Sequence, residues 1–197
     1  MQDQWYSDNR DLVKWGVLLR LAEQYGAQRI LQVAFYRPST FGKLIINGKE
    51  QDLPKEVIHH FRNLQAVTSI SPTVRVTVFD VTFEDRTAYM EGVLSLLSSF
   101  GQERCIVFLD PDTGLEPHKK PTLKHVLEAE ARAIWEKMKT NDIFVLYQHQ
   151  TNRSGKKWIG TKQVQLARAL GVKEQTILVA EAPKIAGDVA FLYIQKI

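Results

Sequence analysis

The sequence predicts an α/β protein: a three-layer αβα sandwich around a mostly parallel sheet, closed by a C-terminal β-hairpin. Short, near-continuous apolar runs alternate with amphipathic stretches along the chain, as they do where strands are joined by crossover helices and covered on both faces. The last two apolar runs are separated by only a short loop, which suits a hairpin and not a crossover. At 197 residues the chain is read as a single α/β domain, 1–197, with one core.

Each element has its own signal. "DNRDLVKWGVLLRLAEQYG" carries Leu12, Trp15, Leu19 and Ala22 at helical spacing, with Asp8 or Asn9 as cap and Gly26 as stop. "RILQVAFY" reads as a strand from Arg29 to Tyr36, ended by Pro38. "LPKEVIHHFRNL" places Pro54 at the first turn of a helix. "VRVTVFDV" alternates as a strand, followed by a helix from about Asp85 to Phe100. Then come the strand "RCIVFLD", a long helix from about Pro121 to Lys139, the strand "DIFVLYQ" and the helix "TKQVQLARALG". "TILVAE" and "DVAFLYIQ", joined through Pro183 and Gly187, form the expected hairpin.

Composition narrows the class. An apolar fraction of 44% and a charged fraction of 24% are ordinary for globular proteins and argue against disordered or fibrous architectures. No apolar run reaches the roughly 18 residues of a spanning helix, and the polar start "MQDQWYSDNRD" lacks the pattern of a secretory signal. Cys105 is the only cysteine, so no internal disulfide and no cysteine metal cluster is expected, and a reducing cytoplasm is the expected location. The net charge of +4 is a mild pointer to polyanions, sharpened by two cationic stretches, "PHKKPTLK" and "TNRSGKKW".

In sheets of this kind the functional crevice lies beyond the carboxyl ends of the strands. The stretch "IVFLDPDTGLEP" delivers Asp110 and Asp112 there. Pro111 keeps Asp110 extended, and residues two apart in an extended chain share a face at roughly 6.5 Å. Thr113 and Gly114 then turn the chain. Two carboxylates at the lip of an apolar strand repel each other, so one is expected to titrate high and serve as a general acid or base. The same residues also make an ordinary turn.

The next strand ends in "LYQHQTNRSGKKW". Tyr147 offers a stacking ring, Gln148 and Gln150 offer amides that match a nucleobase edge, and His149 offers an imidazole. Arg153, Lys156 and Lys157, with Asn152, are expected on phosphates, as are Arg37, Lys119 and Lys120. Phe35 and Tyr36 in "AFYRPST", together with Thr113, are candidate walls of a base pocket, although packing under a helix explains Phe35 equally well. Asp80 ends another strand and reads as a supporting acid or a loop cap. His59 and His60 are adjacent on a helix and point apart, which argues against a shared metal. Asp188 reads as a turn residue.

The Asp110-Pro111 step resembles the uracil-DNA-glycosylase superfamily, in which a strand ends in Asp-Pro followed by an aromatic and a His, and the acid positions water. Asp112 and Thr113 stand where that family has the aromatic and the His, and "YQHQTNRSG" is similar to its later His-containing loop. With "DLVKWGVLL", "FLDPDTGL" and "LYQH", the whole chain also resembles bacterial phage-defence DNA glycosylases that remove modified cytosines. These resemblances imply hydrolysis of an N-glycosyl bond in DNA carrying modified bases. Asp110, Asp112 and His149 would be catalytic, and neither cofactor nor metal would be needed. A second resemblance is to S-adenosylmethionine-dependent amino-methyltransferases acting on nucleic acid, whose catalytic strand ends in Asp-Pro-Pro-aromatic and whose topology includes a terminal hairpin. Their glycine-rich turn after the first strand has no match here before Gly42. A third reading is a metal-dependent nuclease with magnesium on Asp110, Asp112 and Glu116; the Glu-x-Lys of common nuclease cores is missing.

Overall fold

The computed structural model describes residues 8–38, 42–61, 63–150 and 158–197. The first helix, α1 (Asn9–Tyr25), is capped by Asp8, whose carboxylate accepts from the Arg10 and Asp11 amides, and it ends at the left-handed Gly26. β1 (Arg29–Val33) follows, then the hairpin strands β2 (Lys43–Ile46) and β3 (Lys49–Asp52), and helix α2 (Lys55–Phe61). A 3₁₀ turn at Leu64–Ser69 leads to β4 (Arg75–Phe79) and α3 (Arg86–Ser99). Next come β5 (Cys105–Leu109), the short strands β6 (Gly114–Leu115) and β7 (His125–Val126), α4 (Glu128–Lys137), β8 (Ile143–His149) and α5 (Ile159–Leu170). β9 (Leu178–Ala182), the single turn α6 (Pro183–Ala186) and β10 (Gly187–Gln195) complete the chain.

The main sheet runs β4-β1-β5-β8-β10-β9. β4, β1, β5 and β8 are parallel, whereas β10 is antiparallel to both β8 and β9. This is the expected mostly parallel sheet with its C-terminal hairpin; the last strand inserts between β8 and β9. Alternate residues feed two cores. Val33, Val107, Leu109, Phe144 and Leu146 pack with Val93, Ile134 and Leu166 from α3, α4 and α5. Ile30, Ile106, Phe108, Val145 and Phe191 pack with Leu18 and Ala22 of α1. Central strands covered on both faces are apolar throughout, which is why β5 reads "CIVFL".

Three local expectations are corrected. β1 stops at Val33, because Phe35 adopts φ of +45° and turns the chain before the expected end. The helix expected from Pro121 begins at Glu128: residues 122–126 instead run beside the loop after β5, parallel to β6. There Arg86 donates to the carbonyls of Thr122 and His125, and β7 pairs with β6. The hairpin β2–β3 was not expected; its turn, Asn47-Gly48, has φ of +52° and +74°, as a two-residue type I′ turn requires.

Cys105 lies in the buried centre of β5, and burial pushes its thiol up to about 12. Because the thiolate is the reactive form, a thiol reagent such as dithionitrobenzoate should leave the native protein unlabelled and label one equivalent in guanidinium. Rapid native labelling would show that the centre of the sheet opens.

Candidate active site

The carboxyl ends of β5 and β8, with the first turns of α1, enclose a cavity of about 370 Å³. It is lined by Asp8, Arg10, Asp11 and Lys14 from the start of α1, by Asp110, Pro111, Asp112 and Thr113 after β5, by Lys124, and by Tyr147 and His149 of β8. The two aspartates therefore address one crevice, and the Tyr147-His149 strand end shares it. Its size falls within the range of small-molecule sites.

The electrostatics differ from those expected of a repelling acid pair, because each carboxylate has its own cation. Asp110 is 1% exposed; its Oδ2 accepts from Lys14 Nζ at 2.9 Å and from Gln32 Nε2 at 2.7 Å, and its amide donates to Val33 O. Lys14 is itself buried and also bonds Asp11 at 2.6 Å. Burial works against the charged ammonium, yet the charges of Asp110 and Asp11 hold its pKa above the ordinary lysine value. Asp112 is paired with Arg37, whose guanidinium is partly desolvated and has one nitrogen, Nε, buried without a partner among the described residues. Asp110 is thus an anchor of the cavity floor, and Asp112, in the turn beyond it, is the carboxylate at the opening.

A second network surrounds His149. Nε2 lies 3.1 Å from Asp188 Oδ2 and Nδ1 lies 3.2 Å from the Gln150 carbonyl, so both ring nitrogens face oxygen atoms. Arg10 Nε donates to Asp188 at 3.2 Å, and Arg10 Nη1 reaches Asp8 at 3.1 Å. The hydrogen bond from Arg10 holds the Asp188 carboxyl below its ordinary range. Asp188, expected as a turn residue, is the second residue of β10 and orients His149. Burial keeps the Tyr147 phenol protonated well above its ordinary value, and Lys14 Nζ sits 5.7 Å from the centre of that ring.

The loop that carries Asp112 is held by β8. His149 N–H donates to Thr113 O at 2.8 Å, and the Gln148 amide donates to the same oxygen while its Oε1 accepts from Leu115 N. At Gly114, with φ of +119°, a Cβ would meet Gln148 Oε1 at 2.3 Å, so both the angle and the space require glycine.

The other expected site residues fall elsewhere. Gln148 is buried and spends its amide on this loop, so it does not read a base edge. Phe35 is fully buried, 5.0 Å from Phe83 and 5.4 Å from Tyr89 between ring centres, and its amide donates to Tyr89 Oη at 2.8 Å; it is core and not a pocket wall. Tyr36 lines a separate hollow with Asp80. Arg37 serves Asp112, and Gln150, Lys119 and Lys120 are not among the residues lining the cavity. Asn152, Arg153, Lys156 and Lys157 lie outside the described residues. Sequence reasoning missed Arg10, Lys14 and Asp188.

The methyltransferase resemblance implies a cofactor cradled by the turn after β1. That turn is filled by Phe35 and the rings of Phe83 and Tyr89, which leaves the backbone no open approach; these residues do not fit the cofactor. The magnesium reading also loses its ligand set: Glu116 accepts from the Glu128 amide at 2.7 Å, and no group of three potential ligands is placed to hold a metal among the described residues. No helix among them is long and apolar enough to cross a membrane.

No family model matches this chain, and no curated protein matches it. Among solved structures it is similar to a DUF574 family protein from Streptomyces avermitilis, at 11% identity and a TM-score of 0.45, over 96% of this chain and 82% of that one. The expected kinship with uracil-DNA-glycosylase-type and phage-defence glycosylases is corrected accordingly: the similarity found is to a DUF574 family protein and not to a glycosylase.

Removing one member of a buried ion pair strands the other charge, typically at a cost of about 3–5 kcal/mol. Lys14→Met should therefore lower the melting temperature sharply, and adding Asp110→Asn should recover part of the loss; a single variant as stable as wild type would show that Lys14 does not hold the cavity floor. The lowered pKa of Asp188 contributes stability that is present above the ordinary carboxyl value of 3.8 and lost as pH falls through the folded value beneath it. Asp188→Asn should flatten the acid limb of the melting-temperature profile in that window, and an unchanged limb would contradict the clasp.

Proposed function

We propose that the cavity is the active site of a hydrolase that cleaves the N-glycosyl bond of a nucleotide in DNA. The observation that carries this reading is the meeting of Asp112, His149 and Tyr147 in one cavity. It does not rest on kinship with any glycosylase family. Glycosyl transfer to water needs a carboxylate to orient the water and to stabilise positive charge on the sugar, together with a donor for the departing base. It needs no cofactor, in keeping with the filled turn after β1.

In this mechanism the nucleotide is drawn out of its stack, at a cost of a few kcal/mol, and its base lies against the Tyr147 ring. Asp112, paired with Arg37, orients water toward the anomeric carbon, stabilises the oxocarbenium-like sugar and takes the proton that the water gives up as its oxygen bonds to that carbon. His149, held by Asp188, donates a proton to the base as the bond breaks. Asp110 and Lys14 keep the floor rigid. The lone buried Cys105 suits a reducing compartment, and the proposed location is the cytoplasm.

The test incubates the full chain with single- and double-stranded oligonucleotides carrying normal and modified bases, then counts alkali-labile abasic sites. Wild type should form them on at least one substrate. Asp112→Asn and His149→Gln should each slow release by about 10²- to 10⁴-fold while thermal unfolding remains cooperative. No product on any substrate, or Asp112→Asn as active as wild type, would overturn the proposal; oligonucleotide binding without product would make the chain a nucleic-acid-binding module.

A further inference from the structure

A second hollow, of about 250 Å³, opens on the same edge of the sheet and is used by none of the chemistry above. Its lining is Tyr36, Ile58, His59, Asn63, Leu64 and Asp80. We infer that it is a second base-binding site, for the nucleotide neighbouring the one in the main cavity, so that the substrate is a strand and not a free nucleotide. The inference rests on the proposed function and adds a contact to the base beside the target.

Position is the first argument. Tyr36 and Asp80 follow the carboxyl ends of β1 and β4, which are adjacent parallel strands, whereas the main cavity lies over β5 and β8. Strands are spaced about 4.8 Å apart, so two strand steps separate the sites by about 10 Å. Stacked nucleotides in one strand are about 3.4 Å apart, less than that separation, so neighbouring bases reach both sites only when the strand is unstacked and the two bases are splayed. The two sites are also joined covalently: Tyr36 lines one, and the next residue, Arg37, pairs with Asp112 of the other.

Chemistry is the second argument. A ring and two aliphatic side chains provide an apolar floor for the face of a base, while an amide, an imidazole and a carboxylate surround it for the edge. The parts are held in place. Phe83 N–H donates to Tyr36 O at 2.7 Å, fixing the backbone beneath the ring. Gln65 Nε2 donates to Asp80 Oδ2 at 2.9 Å, fixing the carboxylate. A carboxylate only accepts, so it matches bases that carry an exocyclic amino group, namely cytosine, adenine and guanine, over thymine.

Fluorescence anisotropy with labelled single-stranded oligonucleotides tests this. Each has one target nucleotide and, at its 5′ or 3′ neighbour, an amino-bearing base, thymine or an abasic spacer. Stacking on one aromatic corresponds to about 5- to 150-fold in affinity. Wild type should lose that much when the spacer replaces cytosine on one side, and less with thymine. Tyr36→Ala should bind the cytosine and spacer oligonucleotides alike, and Asp80→Asn, which leaves the ring in place, should bind cytosine and thymine neighbours alike. Wild-type affinity indifferent to the neighbour, with base release intact, would overturn this inference alone. No binding of any oligonucleotide would overturn it together with the proposed function.

Discussion

The buried ammonium of Lys14 is the interaction on which the cavity depends. It projects from the second turn of α1 to Asp11 on its own helix and to Asp110 at the end of β5, and it sits against the Tyr147 ring of β8. One side chain therefore fixes the distance between helix, central strand and neighbouring strand at the point where the cavity opens. Desolvating these charges is costly, and their mutual attraction offsets it only in a well-made geometry. Such a pair contributes little net stability over a hydrophobic replacement. What it contributes is a single arrangement, with Asp110 locked and Asp112 set two residues further along at the mouth.

Around that anchor the charges come in matched sets. Asp112 has Arg37; Asp188 has Arg10 and His149; and Arg10 ties back to the cap residue Asp8. The last set joins the beginning of α1 to the end of β8 and the start of β10, so the antiparallel final strand supports the site and does more than close the sheet. A ligand entering here meets groups already oriented by partners, which is the preorganisation that makes electrostatic stabilisation effective.

Much of the framework was legible in the sequence. Asp8 and Gly26 bracket α1, Gly171 ends α5, and the apolar lead-in to "DPDTG" marked the strand end where the acids meet. The start of α4 was misplaced because Pro121 resembles a first-turn proline, whereas Glu128 and Glu130 in the true first turn mark the positive end of the helix. The Asn-Gly step of β2–β3 is a hairpin signal that was legible and passed over. Lys14 left a trace too: with Asp11 it forms an i,i+3 charge pair on the face of α1 that also carries Leu18 and Ala22, an unusual place for a lysine. Asp188 left none, since its partners stand 39 and 178 positions earlier and only the folded sheet brings them together. The positive φ of Phe35, which converts a would-be cradle into core, also depends on its long-range bond to Tyr89.

The central claim is that a nucleotide sits at the carboxyl edge of the sheet, against Tyr147 and His149. Its most direct test is a nuclear magnetic resonance titration of the labelled full chain with a single-stranded oligonucleotide, following the side-chain resonances of the tyrosines and histidines. The account predicts saturable shifts at Tyr147 and His149 with a common midpoint. Shifts confined to residues at the opposite edge, around Tyr25 and Arg104, with Tyr147 and His149 unmoved at saturation, would contradict it.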